Sequence, residues 1–213
     1  TYCREEYHKT MTPKKEILSF EEISRMSKIL STLGVTKIRI TGGEPLLRRD
    51  ISKLIKSITE IPEITEVPLS TNAELLKANA KSLFQAGIRT LNISIDSLDE
   101  KVFSDITRGG DIKKVIAGID EAIKEGITTI KINAVVMSGV NQSDILNLVN
   151  FAIKRDIDIR FIETMPIGSA GMEATKNLLT KKEIKHIVEA GIDGELKAFS
   201  TKSTAGPAEM FTV

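Results

Sequence analysis

Glu44 stands in the string Thr41-Gly42-Gly43-Glu44-Pro45, at the end of a β-branched run that begins at Lys37. Two glycines let a backbone come very close to another group. Pro45 removes one backbone donor and stiffens the turn. A carboxylate held at the end of a strand lies where α/β proteins bind ligands. A free ammonium group is its natural partner, through a charge-assisted hydrogen bond. The plainer reading is an ordinary strand-to-helix turn with a solvated glutamate. Three cations, Arg39, Lys131 and Arg160, fall on different strand-like runs. Pointing unpaired into one cavity they would be costly. A polyanion such as a triphosphate would suit them, with arginine giving bidentate contacts. Acids such as Asp96 and Glu163 could pair with them instead, or they could form strand-end ion pairs at the surface. Neither a Walker-type glycine-rich loop nor a dinucleotide fingerprint is present. Cys3 is the single cysteine, and one thiolate cannot hold an iron–sulfur cluster. His8 and His186 show no ligand spacing, and no Ser-His-Asp arrangement can be argued.

The elements that must position these residues alternate along the chain. Strand-like runs cover Lys37–Thr41, Val67–Asn72, Thr90–Asp96, Thr129–Met137 and Ile157–Thr164, each separated from the next by a helical stretch. Ser19-Phe20-Glu21-Glu22 is a capping box ahead of an amphipathic run to Leu33 that stops at Gly34. Ser97-Leu98-Asp99-Glu100 and Thr180-Lys181-Lys182-Glu183 repeat the signature. Further helices are expected near Ile51–Ile58, Glu74–Ala86, Ile112–Glu125 and Ser143–Lys154.

Such alternation implies a parallel sheet with right-handed crossovers. The strand patterning favours a barrel or partial barrel over an open doubly wound sheet. Asn92, Ser94 and Asp96 alternate with Leu91, Ile93 and Ile95, and Lys131 and Asn133 alternate with Ile130 and Ile132. Arg39 and Thr41, Ser70 and Asn72, and Arg160 repeat the pattern on the other runs. A sheet covered by helices on both faces would read as continuously apolar. A lumen open to a polar ligand explains the polar face.

With 213 residues, the chain has room for one sizeable domain. Thirty Lys and Arg against 29 Asp and Glu leave a formal charge of +1, which argues against a nucleic-acid surface. No apolar run is long enough for a transmembrane helix. A lone cysteine excludes an intrachain disulfide framework and makes a reducing cytoplasm the default. After about Gly194 the composition shifts to Ser, Thr, Gly, Pro and Lys. Residues 1–194 therefore read as the core and 195–213 as a linker or the start of another element.

Thr41–Asp50 resembles the S-adenosylmethionine motif of radical SAM enzymes, and in particular that of the molybdenum-cofactor biosynthesis protein A family, the GTP 3′,8-cyclases. Leu69–Asn72, Leu91–Leu98, Ile106–Arg108, Lys131–Met137 and Arg160–Gly168 fall in that family's order and approximate spacing. The resemblance implies a partial (β/α)6 TIM-like barrel, bound S-adenosylmethionine and a [4Fe–4S] cluster on a C-x3-C-x2-C loop. Cys3 would be the third cysteine of that loop and Tyr2 would contact S-adenosylmethionine. The other two cluster cysteines would precede Thr1, and a second cluster would follow Val213, so the chain resembles an internal piece and is expected to be inactive alone. Gly43, Glu44, Ser94 and Met165 would bind S-adenosylmethionine. Arg39, Ser70, Lys131 and Arg160 would bind GTP. The family usually has Thr at the position of Ser70 and commonly Gly at that of Ala73. The implied chemistry is radical and carried by the cofactors, with no acid–base residue. The 3′ hydrogen of GTP is abstracted and the ribose closes onto C8 to give 3′,8-cyclo-7,8-dihydro-GTP. Implied partners are cyclic pyranopterin monophosphate synthase and an electron donor. A radical SAM enzyme of a peptide-modifying or haem pathway, and a non-catalytic nucleotide-binding barrel, are the competing readings.

Overall fold

Residues 16–164, 178–192, 195–199 and 209–212 are described by the computed structural model. Helix α1 (Phe20–Thr32) opens with the expected capping box: Glu22 N–H donates to the Ser19 hydroxyl, and Ser19 N–H to the Glu22 carboxylate. A 3₁₀ turn, Pro45–Leu47, leads to α2 (Ile51–Thr59). There follow β1 (Leu69–Thr71), α3 (Leu76–Gln85), β2 (Thr90–Ser94), α4 (Glu100–Thr107), α5 (Ile112–Lys124), β3 (Thr129–Val135), α6 (Ile145–Arg155) and β4 (Asp158–Ile162). Helix α7 (Lys181–Gly191) and the short strands β5 (Lys197–Phe199) and β6 (Met210–Thr212) complete the described chain.

Strands β1 to β4 form one parallel sheet in chain order. The run expected as a strand at Lys37–Thr41 adds a fifth position at the β1 edge, through parallel bridges Lys37–Glu66 and Ile40–Leu69. Ile38 and Ile40 N–H donate to the Glu66 and Pro68 carbonyls, and Ser70 N–H to the Ile40 carbonyl. Pro68 has no N–H to return to Ile38, so one rung is missing and the segment stays a pair of bridges.

One face of the sheet is apolar. Leu69, Leu91, Ile93, Ile130 and Ile132 are buried in a single core with Leu54, Ile55 and Ile58 of α2, Leu76 and Leu83 of α3, Val115 and Ile119 of α5 and Leu148 of α6. The helices thus gather on that face, and the opposite face keeps its polar residues. This is the arrangement of a partial barrel. A smaller cluster joins Val136, Ile145 and Val149 to Leu179, Ile184 and Val188 of the α7 region, with Ile159 and Phe161 of β4 packed against both clusters.

One local expectation changes. Ser97 does not cap α4. Asp99 does, accepting from Lys101 and Val102 N–H, while the Ser97 hydroxyl donates to the distant Asp144 at 2.6 Å and accepts from Asp99 N–H at 3.0 Å. The segment after 194 contains the antiparallel pair β5–β6. It lies beside α7, with Lys181 Nζ at 2.6 Å from the Glu209 carboxylate and Lys185 over the Phe211 ring.

Candidate binding site in the sheet lumen

Parallel register sets the polar residues in rows across the strands. Ser70, Asn92, Lys131 and Asp158 are successive partners in one row. Ser94, Asn133 and Arg160 form the next row toward the strands' C-terminal ends. Arg39 flanks Ile40, which bridges to Leu69, so alternation puts it on the same face as Ser70. The structure therefore brings Arg39, Ser70, Ser94, Lys131 and Arg160 to one face. Arg39 and Ser94 are exposed there, while Ser70, Lys131 and Arg160 are half-buried.

The expected acid partners of the cations are used elsewhere. Asp96 accepts from Val135 N–H at 2.8 Å. Glu163 accepts from Lys181 N–H, at the start of α7. Lys131 Nζ lies 3.6 Å from an Asp158 carboxylate oxygen, a loose ion pair with the acid about half exposed. Among the described residues neither Arg39 nor Arg160 has an ion-pair partner.

Glu44 sits at the rim. It caps the Pro45–Leu47 turn through Leu46 N–H, at 3.0 Å from Oε1. The Thr71 hydroxyl donates to the same oxygen at 2.7 Å, and Asn72 N–H donates to Oε2 at 2.7 Å. The carboxylate is thus fixed at the C-terminal end of β1, with Oε2 holding one described hydrogen bond and room for a further donor. Gly42, at φ +153°, and Gly43 border open space: a Cβ on either would meet nothing within 4 Å. No described residue fills the room these glycines leave, which fits a ligand seated against the Gly-Gly-Glu backbone.

Behind the rim is a buried network that sequence reading missed. Asn141 donates to the Asp96 and Val135 carbonyls and accepts from Met137 N–H. Asp144 accepts from Ser97, Asn147 and the N–H groups of Leu98 and Asp99. Burial pushes the Asp144 carboxyl up, but the hydrogen bonds from Ser97, Asn147, Leu98 and Asp99 together outweigh it and hold it below the ordinary aspartate range. Asp144 falls in the helix expected at Ser143–Lys154, and nothing local announces, for it or for Asn141, partners some 45 residues away.

Cys3, Tyr2 and Met165 lie outside the described residues. Among the described residues no cluster of His, Cys, Asp and Glu could hold a metal ion, and no helix is long and apolar enough to cross a membrane. A groove of about 350 Å³ at the opposite, N-terminal end of β1 and β2 is lined by Lys56, Glu60, Glu66 and Arg89. It contains none of the residues above.

The sequence profile of the Radical SAM superfamily matches residues 1–152. The chain belongs to this superfamily. GTP 3′,8-cyclase of Alkaliphilus metalliredigens is 43% identical over 191 residues, covering 88% of this chain and 59% of that protein. The enzyme of the same name from Thermodesulfovibrio yellowstonii is 44% identical over 211 residues, covering 99% of this chain and 65% of that protein. The chain thus spans less than two thirds of the length of these curated relatives. Among solved structures, HydG, a maturase of the [FeFe]-hydrogenase, superposes with a TM-score of 0.63 at 17% identity, over 86% of this chain and 44% of its own. Streptococcus suis SuiB, solved with S-adenosylmethionine bound, gives 0.59 at 26% identity, over 68% of this chain and 33% of its own. Radical SAM membership implies S-adenosylmethionine and a [4Fe–4S] cluster as cofactors. The anchored Glu44 and the space over Gly42 and Gly43 that no described residue fills fit the first.

Proposed function

We propose that the protein to which this chain belongs is a GTP 3′,8-cyclase, a lyase of molybdenum-cofactor biosynthesis. The observation that carries the reading is the pair of polar rows across the lumen, with Lys131 and Arg160 in adjacent rows and Arg39 on the same face, in a chain over 40% identical to enzymes of that name. A lumen with these cations suits a triphosphate.

Glu44 would accept from the ammonium of S-adenosylmethionine through Oε2, with Gly43, Ser94 and Met165 lining the same compartment. Arg39, Ser70, Lys131 and Arg160 would hold GTP, chiefly its phosphates. Cys3 would be one of three thiolates on the cluster, beside Tyr2. When bound, the cluster and S-adenosylmethionine would supply one-electron radical chemistry directed at the ribose. The chain's own task is positioning and exclusion of water. The Ser94 row, which also holds Arg160, lies nearer the rim than the Ser70–Lys131 row, so the two ligands would meet at the level of that row, with the Ser70–Lys131 contacts to GTP deeper. Residues 1–194 would form the core and 195–213 would begin a further segment. The soluble partners would be an electron donor and cyclic pyranopterin monophosphate synthase, in the cytoplasm.

The test uses the complete gene product, reconstituted with iron and sulfide without oxygen. It is given GTP deuterated at the ribose 3′ carbon, and 5′-deoxyadenosine is analysed by mass spectrometry. Deuterium in 5′-deoxyadenosine is the expected result. Unlabelled 5′-deoxyadenosine would point to another radical SAM substrate. None at all, with a full cluster, would favour a non-catalytic barrel.

A further inference from the structure

Asn92 is placed as a ligand contact by its burial and by what it lacks. Its neighbours Leu91 and Ile93 are 0% exposed, packed among the helices. Strand alternation therefore turns Asn92 to the lumen face. It is only 5% exposed, yet its Nδ2 donates to no partner among the described residues. A buried donor left unpaired is destabilising, and a group that recurs to no structural partner needs another account. On either side, one strand spacing away, stand Ser70 and Lys131. The orphan amide thus completes a row of three donors: a hydroxyl, a carboxamide and an ammonium. Asp158 at the far end of the row lies beyond Lys131, across β3 from Asn92.

We propose that Asn92 is a further substrate contact, its Nδ2 donating to a phosphate oxygen of the triphosphate held between Ser70 and Lys131. The assignment rests on the GTP reading above. A phosphate oxygen is the acceptor these three donors share, since an anion satisfies the ammonium and the two neutral donors together. Asn92 lies one row deeper than Ser94, in the row that holds Ser70 and Lys131.

The test compares Asn92→Leu, which keeps the branched skeleton without polar atoms, and Asn92→Ala, which avoids overpacking, in the complete reconstituted protein. Three quantities are measured: the ligand-free melting temperature, the Kd for GTP, and the Kd for inorganic triphosphate as its competitor. At least one variant should melt no lower than the unsubstituted protein, because the orphan donor is gone. Both should bind GTP and inorganic triphosphate about tenfold to a hundredfold more weakly, by the same factor, as for loss of a hydrogen bond to a charged group. S-adenosylmethionine affinity should hold. Lower melting in both variants with unchanged Kd values would make Asn92 a structural residue and overturn the proposal. Weakened GTP binding with unchanged triphosphate binding would also overturn it, placing the contact on the nucleoside. Failure of the unsubstituted protein to bind GTP would instead sink the GTP reading, and Asn92 with it.

Discussion

Glu44 has two tasks at the residue scale. It caps the Pro45–Leu47 turn and ties that turn to Thr71 and Asn72, and its remaining lone pair faces the rim. Its three described donors approach both oxygens, so no single-ended acceptor can replace it. In Glu44→Gln the amide nitrogen would meet either Asn72 N–H or the Leu46 and Thr71 donors. The substitution should lower stability by about 1–3 kcal/mol in urea unfolding of the ligand-free protein. An unchanged midpoint would show that these hydrogen bonds matter little. A loss of S-adenosylmethionine binding in such a variant therefore reports two effects, and the unfolding measurement separates them. Ala73 is a quieter case. It is fully buried with φ 62°, a left-handed backbone that glycine adopts at less cost. That gives a physical reason for the glycine that the family resemblance leads one to expect at this position.

At the element scale the Asp144 carboxylate joins the turn after β2 to the start of α6. Its folded-state pKa is depressed by the hydrogen bonds from Ser97, Asn147, Leu98 and Asp99, which outweigh burial. Such a group contributes stability above its unfolded pKa and loses it as pH falls through the folded value. Asp144→Asn should therefore cost about 1–3 kcal/mol at neutral pH, and the gap to the unsubstituted protein should narrow on acidification. Parallel unfolding curves at pH 7 and in acid would check this; a gap constant with pH would mean the charge is not what stabilises the turn. The same residue explains what the sequence could and could not tell. The caps at Ser19 and Thr180 were legible because both partners lie within one turn. At Ser97 the hydroxyl instead joins Asp99 N–H to a carboxylate 47 residues away, a partner no local pattern announces. Asn141 was invisible for the same reason: a buried asparagine and a solvated turn asparagine look alike until the loop is folded. The polar face was legible because strand alternation is local. That Asn92 is an orphan in it was not, since an unpaired donor is a property of the assembled lumen.

At the scale of the whole molecule, the described residues rest on two unequal clusters. The large one unites the sheet with α2, α3, α5 and α6, while the small one joins the α7 region to β4 and α6. Their meeting residues, Ile159 and Phe161, are only partly buried. Helix α7 buries just Ile184 and Val188, whereas Leu91 and Ile93 at the centre of β2 are fully enclosed. Local opening should follow that difference. In native-state hydrogen exchange, α7 amides should open at a free energy about 2 kcal/mol or more below that of the Leu91–Ile93 amides. Val188→Ala removes two buried methyl groups and should lower α7 protection by about 2 kcal/mol. If α7 already opens independently, β2 protection should stay unchanged in that variant. An equal loss in β2 would instead mean that both clusters unfold as one unit. The polar lumen, whose described lining comes from β1 to β4 and the Lys37–Thr41 segment, would then share its stability with a helix that contributes none of those residues.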